Sequence, residues 1–323
     1  MHLIGSFIAY LRGLARDGLA LWERVWFTPA DPINVAVIRI LTGCILLHTL
    51  LSTLPDFLDF YGPHAWIDAQ AFAEYQRAPG TPPQWWQVQD PRLLWSLHAL
   101  FLIAVVCFTL GLCARAASVA VWAGHLASMH RGVVIIYGMD TILAMLTFYL
   151  MFAPSGAALS LDRWRRPAQP SKSVAANVVL RLIQWHLCFI YLFSGLSKVA
   201  GAAWWNGTAV YGALMLQETT LFDMGWMASR DWLWMLLSHA GSLATVALEL
   251  GFPVFVWHRR LRPLVLAGAI TMQIGLGVLL SLGAFQAAMF AALCVFIPPH
   301  LLRQWCARTT DAGALRLKEN RPG

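Results

Sequence analysis

Charge is what this sequence has least of. Only 12% of its 323 residues are Asp, Glu, Lys or Arg, against 59% apolar, about half the charged share of an ordinary soluble domain. A soluble chain of this length needs a charged surface that is missing here, which argues against a large soluble helical protein. None of the six cysteines (Cys44, Cys107, Cys113, Cys188, Cys294, Cys306) forms a CxxC pair. Most lie within apolar runs as small hydrophobes, so neither a disulfide framework nor a thiol redox centre is expected. The ten histidines show no HxxxH or HExxH spacing, so no metal site is expected. The N-terminus has no short apolar core followed by a small-residue cleavage site, and a removable signal peptide is not expected. No internal repeat and no separate soluble domain is visible.

What is abundant is bulk suited to a bilayer, including 16 Trp and 17 Phe. A spanning helix needs roughly 20 mostly apolar residues. Runs of that kind are Ile33 to Leu54, Leu93 to Cys113, Val133 to Phe152, Val174 to Ser197, Asp231 to Trp257 and Pro263 to Ser281. Ala116 to Met129 and Ala284 to Ile297 are shorter, 14 residues each. The expected fold is all-α: a polytopic integral membrane helical bundle of about eight transmembrane helices. Residues 1–30 mix Leu, Phe and Trp with three Arg, the pattern of an amphipathic interfacial helix. Residues 31–300 form the transmembrane domain, and 301–323 a basic tail.

The net charge of +7 does not make a nucleic-acid-binding face, because the basic residues fall in short blocks between apolar runs. With eight spans, sixteen of the 23 Lys and Arg lie on the N-terminal side of the membrane, five on the other, and Arg39 and Arg181 inside spans. The positive-inside rule then puts both termini in the cytoplasm, and a bacterial inner membrane is the expected location. Two outer loops are long. Pro55 to Arg92 is rich in turn residues and interfacial aromatics, and Lys198 to Arg230 carries an amphipathic stretch expected at the membrane surface.

Ionisable groups inside a bilayer are expensive, at about 2.5–3.5 kcal/mol each on insertion scales, so each should be paired, snorkelling or functional. Counting the helical rise from span ends puts Arg39 and Arg181 roughly 10 Å from the cytoplasmic side and Glu249 roughly 12 Å from it. The plain expectation is one structural layer in which Glu249 pairs with Arg39 or Arg181. Toward the outer side lie Asp140, Lys198, His48, His98 and His130, with His186 and Gln273 nearer the middle. A lone histidine on an apolar helix is more often a hydrogen-bonded core residue than a catalyst, but several such groups in one half of a bundle raise the odds of a site.

The segment Tyr191 to Lys198 (YLFSGLSK), followed by Trp204, Gly207, Thr208 and Ala209, resembles a motif of the horizontally transferred transmembrane (HTTM) family. Eukaryotic relatives of that family are the vitamin K-dependent γ-glutamyl carboxylases. Further matches are Asp31-Pro32 with Arg39, Tyr137 to Asp140, Pro154 and Gly156 with Ser160 and Asp162, Leu248 to Leu250 with Pro253, and Gly283 with Phe285. The resemblance covers residues from about 30 to 300 and implies Lys198 as a base that deprotonates a reduced quinone. Two departures are visible: Val133 and Gln273 stand where the carboxylases carry histidine. The large lumenal domain of the eukaryotic enzymes has no counterpart either.

Two functions remain open on this reading. In the first, the chain is a carboxylase-like membrane enzyme acting on a quinone or other lipid at an outward-facing pocket. Lys198 would be the base and Asp140 or His130 an orienting group, with Trp204, Tyr211 and Gln273 holding a lipid-soluble molecule. In the second, it is a non-enzymatic carrier, or a partner of a redox or secreted-protein maturation system, and Lys198 is a snorkelling anchor. The first predicts a cleft walled by Lys198, Asp140 and the aromatics from Trp204 to Tyr211.

Overall fold

A computed structural model describes residues 2–66, 88–132, 135–165, 172–215 and 230–307. Val133, the middle of both long loops (67–87 and 216–229) and the tail from 308 onward lie outside the described residues. Among the described residues every regular element is helical, apart from one isolated antiparallel bridge between Ala30 and Ser173.

The helices are α1 (His2–Phe27), α2 (Ile33–Ser52), α3 (Phe57–Tyr61), α4 (Pro91–Leu110), α5 (Ala114–Arg131), α6 (Gly138–Phe152) and α7 (Leu161–Arg165). They continue with α8 (Val174–Val199), α9 (Ala202–Trp205), α10 (Thr208–Met215), α11 (Asp231–Phe255), α12 (Arg262–Leu279) and α13 (Gly283–Leu293). Beyond α13 the chain turns through 112° into α14 (Pro299–Ala307). A helix lies on each of the eight apolar runs, though on the run from Val133 to Phe152 it begins only at Gly138. Five of them (α2, α4, α8, α11, α12) are long and apolar enough to cross a membrane, six if the bent α13–α14 pair is one span. The helix α6 is apolar but has only 15 residues, short of the roughly 20 that a hydrocarbon core requires.

Local signals explain where these helices begin and end. Asp90 caps α4 by accepting from the Arg92 N–H at 2.9 Å, with Pro91 in the first turn. Gly111, at φ +68°, ends the helix in the left-handed conformation. A side chain there would strike Ser160 and the Arg39 guanidinium. The N-terminus of α5 is capped from a distance: Asp162 accepts from the N–H groups of Cys113 and Ala114, both at 2.9 Å.

The core lies where α2, α4, α6, α8, α11 and α13 meet, around Ile38, Val105, Leu143, Ile183 and Phe252. Outside it the usual pattern is inverted. Leu100, Phe193, Val254 and Leu264 are each more than 60% exposed, an apolar exterior that suits lipid and not water. Against α8 rests α1, where Asn177 donates to the carbonyls of Val25 (2.7 Å) and Trp26 (2.9 Å) at its C-terminal end.

The expected inner charge layer does not exist. Arg39 is fully buried and donates to the carbonyls of Ser155 and Leu159. Arg181 donates to Gln184 at 3.0 Å and lies over the Trp257 ring. Carbonyls left open by the irregular turn after α6 take both Nη groups of Arg39, while its Nε is buried with no hydrogen-bond partner among the described residues.

Candidate functional site

Lys198 is the penultimate residue of α8, and its partner is Glu249. The ammonium Nζ donates to Glu249 Oε1 at 3.0 Å and stands 2.9 Å from Oε2. It also donates to Ser194 Oγ, one turn back, at 2.7 Å. The two side chains are 19% and 7% exposed, so the pair is largely withdrawn from solvent. Such a pair is net neutral, which removes most of the penalty for placing either charge in an apolar bundle.

Three features fix this geometry. Gly195 lets α8 and α11 approach closely: a Cβ there would come within 2.9 Å of Leu250 Cδ2 and 3.2 Å of Glu249 Cβ. Below it Tyr191 stacks on Phe252, ring centroids 4.1 Å apart. Above it the helix breaks at Ala200–Gly201, and Trp204 in the next short helix lies 5.1 Å from Nζ. Trp205 Nε1 donates to the Val199 carbonyl at 2.7 Å, closing the end of α8.

The register corrects the depth reckoned from span ends. Lys198 meets Glu249 only six residues before the end of α11. The stretch Asp231 to Leu248, roughly 26 Å of helix at 1.5 Å per residue, therefore runs past the end of α8. There α9 and α10 continue in place of α8 and pack on α11. Gly207 (φ +73°) presses against His239, the Ser238 hydroxyl donates to the Gly207 carbonyl, and Tyr211 N donates to Ser238 Oγ at 3.0 Å. Lys198 thus sits at a break between helices, where its side chain reaches a neighbouring helix.

The other expected site residues are divided. Trp204 joins Lys198. Gln273 donates to the Tyr191 hydroxyl at 3.1 Å, and its own Oε1 is buried with no partner among the described residues. Tyr211 is 40% exposed and packs edge-on against Trp234, centroids 4.8 Å apart. Asp140 belongs to a separate cluster between α2, α5 and α6. Its side chain accepts from the Tyr137 N–H at 3.0 Å, and its carbonyl meets His125 Nε2 at 3.0 Å. A cavity of about 290 Å³ lies there, walled by His48, Tyr61, His125, Tyr137 and Asp140. His130 is half-buried in the last turn of α5. Glu249, which meets Lys198, and His125, which lines the cavity at Asp140, were not among the expected site residues. The signals for Glu249 were its place in the Leu248 to Leu250 motif and its charge inside a span, and nothing in the sequence separated His125 from the other histidines.

Several spanning helices, an apolar exterior and a buried ion pair at a helix break define a multi-pass α-helical membrane protein with a polar site in its interior. The chain belongs to the HTTM family: the HTTM domain matches residues 27–301, most of its length. No curated protein and no solved structure matches it.

Proposed function

We propose that this HTTM protein is a carboxylase-like membrane enzyme whose proton-accepting group is the Lys198–Glu249 pair, acting on a reduced quinone or similar lipid. The observation that carries the reading is a lysine and a glutamate in direct contact, in an apolar bundle, at the end of a helix that breaks. The residues around Lys198 suit a flat, lipid-soluble molecule, since Trp204 offers an aromatic face and the pair offers both a donor and an acceptor.

A bound hydroquinone would supply an acidic hydroxyl. Lys198 becomes basic only after shedding a proton, and the 3.0 Å hydrogen bond to Glu249 Oε1 is the route. Glu249 then holds that proton while the Lys198 amine takes the one from the hydroxyl: the Lys198 N–H given up is remade, the hydroquinone O–H breaks and a Glu249 O–H forms. Ser194 Oγ, 2.7 Å from Nζ, orients the amine. Glu249 takes the orienting role first expected of Asp140 or His130. In the membrane, α1 lies on the cytoplasmic face of a bacterial inner membrane with both termini inside. A reporter fused after Arg165 should read cytoplasmic, and an outward reading would reverse the topology.

The test is lipid mass spectrometry on protein purified in mild detergent. A quinone should co-purify with the wild type and be depleted several-fold in Trp204→Ala. No quinone in the wild type, or equal retention in both, leaves the pair a structural staple and favours the non-enzymatic reading.

A further inference from the structure

A second cavity, away from Lys198, lies between α3, α4 and α5 and measures about 360 Å³. Its walls are apolar at one end and polar at the other. The helices α4 and α5 run antiparallel with Gly124 against Phe101, where an added Cβ would come 2.5 Å from the ring. That register brings His98 level with Ala127, and Leu94 level with Arg131. The polar lining groups (His98, Ser128 and Arg131) therefore gather where α4 begins and α5 ends. From there to Ala120, roughly 16 Å along α5, the lining is Phe101, Ala104 and Gly124.

His98 is only 8% exposed, and its Nε2 is buried with no hydrogen-bond partner among the described residues. Its ring is held by Phe57 and Trp95, centroids 4.5 Å and 6.1 Å away. A buried imidazole nitrogen without a partner is unfavourable, and a ligand that hydrogen-bonds it removes that penalty. Arg131, whose Nε donates to the Tyr61 carbonyl at 2.5 Å, brings a positive charge to the same end. Leu97 and Leu100 line the cavity and are 46% and 63% exposed on the outer surface of α4, so the chamber borders the face that lipid covers.

We propose that this cavity binds one acyl chain with an anionic head. The chain lies along Phe101, Ala104 and Gly124, and the head meets His98 and Arg131. Its volume falls within the usual range for small-molecule sites. The proposal stands independently of the Lys198 reading. A free fatty acid and one chain of an anionic phospholipid share this chemistry.

The test uses the full-length protein in detergent and a fatty acid carrying a diazirine, with crosslinked peptides mapped by mass spectrometry. Label is expected on the Leu94 to Ala104 and Ala120 to Arg131 peptides. Competition by palmitic acid alone points to a free acid, and competition by phosphatidylglycerol to a membrane lipid. His98→Phe keeps the aromatic stack and removes the nitrogen, so labelling should fall about tenfold while thermal stability holds or rises. Ala104→Leu fills the apolar end and should abolish labelling whether or not the His98 variant folds. Labelling that neither competitor lowers, or that persists in folded Ala104→Leu, overturns the proposal.

Discussion

Glu249 stands between Leu248 and Leu250, buried where α11 packs on α8, and its side chain is met there by Lys198. Removing one member of a buried pair leaves the other charge stranded, at about 3 kcal/mol or more. Glu249→Ala should therefore lower thermal stability in detergent more than the double variant Lys198→Met, Glu249→Leu. Equal losses would show that the two residues are not coupled. The motif around Tyr191 to Lys198 made the lysine legible in the sequence. Its partner was not, because depth counted from span ends assumes that every helix starts and stops at the same planes. Here α11 overshoots α8 by most of its length, so residues reckoned near opposite faces are neighbours. Arg39 misled for a related reason: its partners are backbone carbonyls of an irregular turn, which composition and periodicity cannot reveal.

At the scale of elements, the site depends on how closely α8 can approach α11. Gly195→Ala places a methyl 2.9 Å from Leu250 Cδ2, and overpacking of that kind costs typically 1–3 kcal/mol. The variant should unfold at lower temperature and lose quinone retention, and Leu250→Ala should restore part of both by making room. Failure of the second change to rescue the first would mean that Gly195 matters for some other reason. Helix existence was plain from the apolar runs, and each of the eight has a helix on it. Whether the shorter ones cross was not plain. Run length says nothing about where a neighbouring helix bends, as α13 does into α14. The continuation of α8 by α9 and α10 was read only as a surface-lying stretch, because the short helices are held by contacts of Gly207 and Tyr211 with Ser238 and not by periodicity of their own.

Across the whole molecule, the start of the HTTM domain is tied to the helix that runs just past its end. Arg303 on α14 forks onto Asp31, just before α2, with Nε–Oδ2 at 2.6 Å and Nη2–Oδ1 at 2.7 Å. Burial pushes the Asp31 carboxyl up, but the Arg303 guanidinium and the Ile33 N–H outweigh it and hold it below the ordinary value of 3.8. The group is depressed in the folded state, so its stabilisation is full above about pH 4 and fades as pH falls through the lower folded value. Asp31→Asn should be less stable than the wild type at pH 7, and the two should converge under acid in pH-dependent thermal unfolding. A constant gap down to the lowest pH would mean that the fork does not titrate. The Asp31-Pro32 pair was legible as a motif before the first span, but its partner 272 residues away was not.

The most direct measurement of the central claim is the infrared difference spectrum of the protein in lipid nanodiscs when a reduced quinone is added. If Lys198 accepts the hydroxyl proton while Glu249 holds its own, a protonated-carboxyl band appears in the wild type. That band is absent in Glu249→Gln and in Lys198→Met. A spectrum with no new carboxyl band in the wild type, or one that survives Glu249→Gln, would contradict the account.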